Sequence, residues 1–328
     1  MQKRCLHTVL ALVIALATPV SAQIVPVLGA QRAGTATAQF LKIPVGARAS
    51  AMGESFVAVA NDASALYWNP AGITQFDRHE IIISHTEWLV DVRHQFLGAV
   101  LHLSADDAVG LSLTSVHTDD MPVTTEVQPK GTGAFFRFSD LAVGATYARK
   151  LTPQFSAGVT IRYIEETLDV LKMRGVMVDL GTYYWMGLGT ARFSAVVSHF
   201  GNQMRPEGSV TTFGGTTVNG FQEFSPPTTF RFGFAVEPVN EEQHVLTTSI
   251  QLNHPNDNSE NISLGVEYRW MNSFALRGGY RLNVDEQDFS LGAGVVTSVD
   301  FAALAVDYGY SAFGRLGGVH RISLGVRL

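Results

Sequence analysis

The stretch Asn261–Trp270, "NISLGVEYRW", alternates with a period of two: Ile262, Leu264, Val266, Tyr268 and Trp270 fall on one face, Ser263, Gly265, Glu267 and Arg269 on the other. One face is greasy and the other is small or charged. A soluble sandwich also alternates, but its polar face meets bulk water and favours Lys, Glu and Thr. Glycine, serine and single charges suit instead the inner wall of a barrel that encloses a polar lumen, with lipid outside.

The pattern recurs along the chain. Phe230, Phe232, Phe234 and Val236 alternate with Arg231, Gly233, Ala235 and Glu237, and Ile322, Leu324, Val326 and Leu328 alternate with Arg321, Ser323, Gly325 and Arg327. About fourteen such segments fit, at roughly 80–88, 94–104, 107–117, 139–150, 154–166, 174–186, 190–200, 227–237, 244–253, 260–270, 274–283, 288–298, 301–311 and 318–328, an even number as a single-chain bacterial barrel requires. Connections after the even segments, such as "AD", "TP", "GLG" and "MNS", are short, with "PVNEEQ" the longest. Those after the odd segments are usually longer, above all around 118–138 and 201–226. Short periplasmic turns and long outer loops give the orientation. Tyr147, Tyr184, Trp185, Tyr268 and Trp270 then sit toward the periplasmic ends, and Tyr163, Tyr280, Tyr308 and Tyr310 toward the outer ends, as two membrane interfaces favour.

The beginning of the chain predicts export. Lys3 and Arg4 precede an uncharged run from Cys5 to Val20, and "VSA" ending at Ala22 supplies small residues for cleavage. Cys5, the only cysteine, leaves with the leader, so disulfides, thiolate metal sites and cysteine nucleophiles are not expected. Without Lys3 and Arg4 the chain carries 21 basic against 29 acidic residues, which argues against a nucleic-acid partner. No later segment reaches 18 uninterrupted apolar residues, so a membrane-spanning form must be a barrel.

One region breaks the alternation. In "DASALYWNPAGI", Asp62 can cap a short helix that Pro70 stops at about Trp68, and "NPAG" fits a type I turn in which the Asn69 side chain bonds the backbone two residues on. Upstream, "GARASAMGESFVAVA" is built of small residues that can pack closely inside something. This segment is either a cap beneath the barrel or a hatch folded into a lumen that would otherwise be wide enough for an aqueous pore. The expected organisation is a signal peptide (1–22), a partly helical hatch (23–78) and an all-β transmembrane antiparallel barrel (79–328).

The run "GARASAMGESFVAVANDASALYWNPAGI", residues 46–73, resembles the N-terminal signature of the PorV/PorQ family, a branch of the FadL-like outer-membrane barrels. Matching positions are Gly46, Ala47, Met52, Gly53, Asp62, Ala63, Ser64, Trp68, Asn69, Pro70, Ala71 and Gly72, while Glu54 departs from the small residue usual in relatives. The resemblance implies a 14-stranded barrel in the outer membrane of a diderm bacterium with its N-terminal segment in the lumen. In the PorV branch it implies type IX protein secretion or surface attachment through contact with secretion-system or cargo proteins. In the FadL branch it implies uptake of a hydrophobic ligand. An open porin is the weakest of the three readings, because the plug argues against a free pore.

Catalytic patterns are not apparent. No His-x-x-x-His pair or G-x-S-x-G elbow occurs. Ser198 and His199, as strand neighbours, are expected on opposite faces and so not as a dyad. The carboxylate pairs Asp106/Asp107, Asp119/Asp120 and Glu165/Glu166 are expected in solvated turns or strand ends. The chain is read as a monomeric, non-enzymatic barrel with no cofactor or metal, in contact with outer-membrane lipid.

Overall fold

A computed structural model describes residues 32–212 and 215–328; the predicted leader, residues 1–22, lies outside them. Fourteen long strands make the wall. The first five are β1 (Glu80–Glu87), β2 (Arg93–His102), β3 (Asp107–His117), β4 (Phe138–Thr152) and β5 (Phe155–Leu168). Next come β6 (Leu171–Trp185), β7 (Arg192–Gly201), β8 (Thr229–Asn240), β9 (His244–Pro255) and β10 (Asn261–Trp270). β11 (Phe274–Leu282), β12 (Phe289–Val299), β13 (Ala302–Ala312) and β14 (Gly318–Arg327) complete it. Every strand is antiparallel to its sequence neighbours, and β1 pairs with β14 from Glu80↔Arg327 to Glu87↔His320. The sheet has no free edge, which is what a strand protein needs where no water can satisfy backbone amides.

The burial pattern is inside out. In β10, Leu264, Val266 and Tyr268 are exposed on the outer surface, whereas Ser263, Gly265 and Glu267 are buried. Ile81, Ile83, Leu97, Leu111, Ile161, Phe232 and Leu324 continue the exposed apolar band around the barrel. Such a continuous greasy exterior is stable only against lipid. Among the interface aromatics, Tyr147, Tyr184, Tyr268 and Trp270 do lie on this outer face, but Trp185 does not. Its side chain turns inward, donating its indole N–H to Gln75 Oε1 at 2.9 Å.

Loop lengths follow the expected alternation with two adjustments. Strands β5 and β6 extend further than their sequence pattern suggested and meet in a two-residue hairpin at 169–170. Likewise β8 runs on to Asn240, absorbing "PVN", with a register shift between Val236 and Val239 where Pro238 lacks the amide a regular ladder needs. Residues 118–137 and 202–228 are the long outer loops, each carrying a two-stranded ladder, Met121–Pro122 with Phe135–Phe136 and Val210–Thr211 with Thr217–Val218. The β9–β10, β11–β12 and β13–β14 loops are 256–260, 283–288 and 313–317.

Glycines on the inner wall mark where the N-terminal segment touches it. A Cβ at Gly279 would lie 2.0 Å from Gly53 N and 2.2 Å from Met52 C; one at Gly158 would lie 2.5 Å from Pro70 C. Gly233, Gly265, Gly292 and Gly309 similarly face Val57, Met52, Ala51 and Ala47. The lumen is therefore not a uniformly water-lined tube; its small residues admit a second layer of backbone. Gly278, the lipid-side neighbour of Gly279, has only Leu291 Cδ2 at 3.9 Å. Gly279→Ala should therefore unseat the N-terminal segment at a cost of about 1–3 kcal/mol, while Gly278→Ala leaves it seated. Both variants should keep the heat-modifiable gel mobility of a closed barrel, and only Gly279→Ala should open the chain near Arg48 to trypsin.

Candidate functional site

The N-terminal segment enters at the outer rim and descends through the lumen. Ala36 bridges Ser225 of the 202–228 loop, and the Glu166 carboxylate accepts hydrogen bonds from Thr37 Oγ1 (2.8 Å) and Ala38 N (3.1 Å). Glu166 is thus an anchor, where the sequence predicted a solvated strand-end acid. A 3-10 turn, Gln39–Lys42, then buries Phe40 and Leu41, which join Ile43 in a cluster with Val116, Ile164, Met177 and Met204. Lys42 Nζ pairs with Asp257 at 3.0 Å. Two short helices, α1 (Ala47–Ala51) and α2 (Ala65–Trp68), and a second 3-10 turn, Pro70–Thr74, fill the middle and lower lumen. At the short-turn end, Gln75 reaches Ser156 and Trp185.

All twelve residues singled out by the family resemblance are buried in this segment. They divide between two sides of the barrel. Gly46, Ala47, Met52 and Gly53 seat against β10 to β14: Gly46 and Gly53 have φ of +84° and +62°, and Ala47 N donates to Ser323 Oγ at 2.9 Å. Trp68, Asn69, Pro70, Ala71 and Gly72 seat toward β5 and β6. Asn69 Oδ1 accepts from Ala71 N (3.0 Å), the expected turn bond, and Asn69 Nδ2 donates to Val57 O (2.9 Å) and to Thr182 O of β6 (3.1 Å). One carboxamide therefore fixes its own turn, the preceding turn at Val57 and the wall together. Asp62, Ala63 and Ser64 connect the two sides.

Helix α2 stops at Trp68 as expected, but Asp62 does not cap it. Its Oδ1 accepts from Ser64 N (3.0 Å) and Ser64 Oγ (2.5 Å) in a side-chain turn before the helix, because Oδ2 is engaged by Arg48 Nη1 at 2.8 Å. Arg48 is the node that the motif left out. Its Nε and Nη2 grip both oxygens of Glu267 at 2.8 Å each, and Glu267 also accepts from Arg277 Nε at 2.7 Å. Arg277 continues to Asp307 at 2.6 Å. Burial opposes the charge on Arg48, but Glu267 and Asp62 hold its pKa well above the ordinary value. Burial likewise pushes the Asp62 carboxyl up, yet Arg48, the Ser64 hydroxyl and Arg327 outweigh it and hold the pKa below the usual range. Arg48 is the lone charge in "GARASAMG", a signal that marks it in retrospect; Glu267 and Arg277 give only their inward strand parity.

Glu54, the departure from the family pattern, has φ +67°, a left-handed conformation that favours glycine. Its carboxylate accepts from Arg281 Nη1 (2.9 Å) and Gln287 Nε2 (3.0 Å), contacts that offset the strain. The premise applied to Ser198 and His199 fails: His199 has φ +59° at a bulge between β6 and β7, and both residues are fully buried. They form no dyad: Ser198 Oγ accepts from Arg231 Nη1 at 3.1 Å, and among the described residues neither ring nitrogen of His199 has a hydrogen-bond partner. No group of three metal-ligating side chains occurs among the described residues.

Two spaces flank the segment on the outer side. A vestibule of about 580 Å³ is floored by Trp68 and bounded by outer-loop residues including Trp88, Asn258, Asn283 and Phe313. Beside it, an apolar groove of about 360 Å³ lies between Phe40 and Ile43 of the hatch, Val116 and Phe138 of the wall, and Trp88 and Val92.

The family model described as "Type IX secretion system protein PorV" matches residues 28–255, well over half of the chain. No curated protein sequence matches. Among solved structures, the Pseudomonas putida toluene transporter TodX superposes with a TM-score of 0.59 at 14% identity, covering 86% of this chain and 97% of its own. The CymD monoaromatic hydrocarbon channel gives 0.56 at 13% identity, with 87% and 97% coverage. The Ralstonia pickettii toluene transporter TbuX gives 0.57 at 12%, with 86% and 97%. At these identities the likeness is one of fold.

Removing Arg48 leaves Asp62 without its ion-pair partner and, among the described residues, Glu267 hydrogen-bonded to Arg277 alone, so Arg48→Met should weaken seating of the hatch by about 3–5 kcal/mol. In the native protein, the lowered pKa of Asp62 means its contribution is fully present above about pH 4 and is lost as pH falls through the folded-state value. Hydrogen-exchange protection of residues 46–72 in detergent, corrected for the intrinsic rate at each pH, should fall in Arg48→Met at neutral pH, and in the native chain only on acidification. Equal exchange in both proteins at pH 7 would refute the role given to Arg48.

Proposed function

The chain belongs to the family of the type IX secretion system protein PorV, and on that premise we propose that it serves secretion or surface attachment by binding partner and cargo proteins at its outer loops and rim. It is an outer-membrane β-barrel of a Gram-negative bacterium, and its family and its fold neighbours are secretion and channel proteins rather than enzymes. The observation that carries the reading is the family match, which spans the hatch and nine of the fourteen strands. The fit of the hatch supports it: a segment pinned by Asn69, Arg48 and wall glycines works as a fixed plug, leaving the outer loops as the contact surface. The 118–137 and 202–228 loops are rich in Thr, Gly and Pro, a composition suited to adaptable contact.

A second reading is uptake of hydrophobic compounds, suggested by the monoaromatic hydrocarbon channel CymD, which shares the fold. The apolar groove beside Phe40 and Ile43 favours it, as does the bulge at His199, which breaks the regular β6–β7 register next to Met177 of the same hatch cluster. Tagging the 118–137 loop and purifying the protein from native outer membranes separates the two. The secretion reading expects co-purifying secretion-system or cargo proteins, and loss of the gene should strand those cargoes in the periplasm. Bound lipid or hydrocarbon with no partner protein, and normal export, would favour uptake instead.

A further inference from the structure

Most buried arginines of this barrel are neutralised at contact distance: Arg48 by Asp62 and Glu267, Arg162 by Asp179, Arg192 by Glu237, Arg277 by Glu267 and Asp307, and Arg281 by Glu54. Arg231 on β8 is different. It is 7% exposed and lines the outer vestibule, yet no carboxylate among the described residues lies within 4 Å of it. Its guanidinium donates to Ser198 Oγ and stands over the rings of Tyr67 (5.8 Å) and Trp68 (5.5 Å). Cation–π contacts offset part of the desolvation of a buried cation, but they do not neutralise it.

A second cation reinforces the bias. Arg321 on β14 is fully buried behind Trp88, 5.4 Å from the ring, and has Ser311 Oγ as a hydrogen-bond partner but no carboxylate. Among the described residues its Nε and Nη2 have no partner. Around the vestibule, Lys42 and Arg281 are matched by Asp257 and Glu54, so the surplus charge there is positive. The opposing acid is Asp285, exposed on the rim. The remaining polar wall is carboxamide and hydroxyl: Asn258, Ser259 and Asn283 stand at the rim, while Gln251 and Asn253 below them are engaged with the hatch backbone and with Asn261. Carboxamides both donate and accept, which matches sugar hydroxyls, and the tryptophans add apolar surface.

We propose that the vestibule binds a small acidic sugar, its carboxylate or phosphate held by Arg231 and its hydroxyls by the carboxamide wall. The space of about 580 Å³ holds a ligand of mono- to disaccharide size, entering from the outer face. A guanidinium fork already stacked on two aromatic rings is preorganised for a planar oxyanion. This site is independent of the secretion reading.

The test uses the full-length barrel in detergent, with titration calorimetry and the fluorescence of Trp68 and Trp88 as readouts. Glucuronate and glucose 6-phosphate distinguish carboxylate from phosphate as the favoured anion, glucose is the neutral control, and a triglutamate peptide tests whether charge alone suffices. Saturable binding of at least one acidic sugar, at least tenfold tighter than glucose, is expected. Arg231→Gln should lose at least tenfold of that affinity, and Asp285→Asn, on the exposed rim, should gain about threefold. Should Arg231→Gln fail to fold, Arg231→Lys and Asp285→Asn carry the same comparison. Binding of neither acidic sugar, equal binding of glucose, preference for the peptide, or affinities unmoved by these substitutions would overturn the proposal.

Discussion

Backbone hydrogen bonding in a solvent that cannot supply it is the constraint from which the rest of this molecule follows. A strand protein in lipid must pair every edge, and here the β1–β14 seam does so over the whole of β1. Closure then separates the side chains: the alternating apolar residues go to lipid, and most of the glycines, serines, acids and arginines between them are turned into the lumen. A soluble domain buries its greasy face; this barrel buries its polar one.

A polar interior creates the next requirement. Fourteen strands enclose more space than their own inward side chains fill, and the N-terminal segment occupies it. That segment could not be a generic hydrophobic plug, because the wall it meets carries Glu267, Arg277, Arg192 and Asp179. The fit is achieved in two ways. Wall glycines let hatch backbone come within van der Waals reach, and buried ion pairs such as Arg48 with Glu267 and Asp62 satisfy charges that would otherwise be stranded. Glu54 shows how local and tertiary terms trade: a left-handed residue that glycine would fill at little cost is held by Arg281 and Gln287.

Function is then confined to what the plug leaves accessible. On the short-turn side Gln75 meets the wall and the ion network borders a cavity of about 250 Å³, whereas the outer side keeps long loops, an apolar groove and a larger, positively biased vestibule. These surfaces adjoin one another around Trp88, which lines both the groove and the vestibule and covers Arg321. Contact with a partner at the rim would therefore be made directly above two ligand-sized spaces.

The wall was legible from the sequence because period-two alternation is a local property, imposed residue by residue by the contrast between lipid and lumen. All fourteen strands fall within a few residues of their expected positions, and Asn69 makes its turn bond to Ala71 N, a contact only two residues long. What the sequence could not specify was long-range or irregular. Asp62 turned from helix cap to ion-pair partner because Arg48 reaches it across the fold; Trp185 turned inward to Gln75; Glu166 became an anchor for Thr37; and the bulge at His199 broke the alternation that was assumed there. The sequence alone determined a membrane barrel with a non-alternating insert and the family to which it belongs. Only the tertiary structure decided which wall charges meet the hatch and which arginines lack a carboxylate, because those depend on the register and closure of strands far apart in the chain.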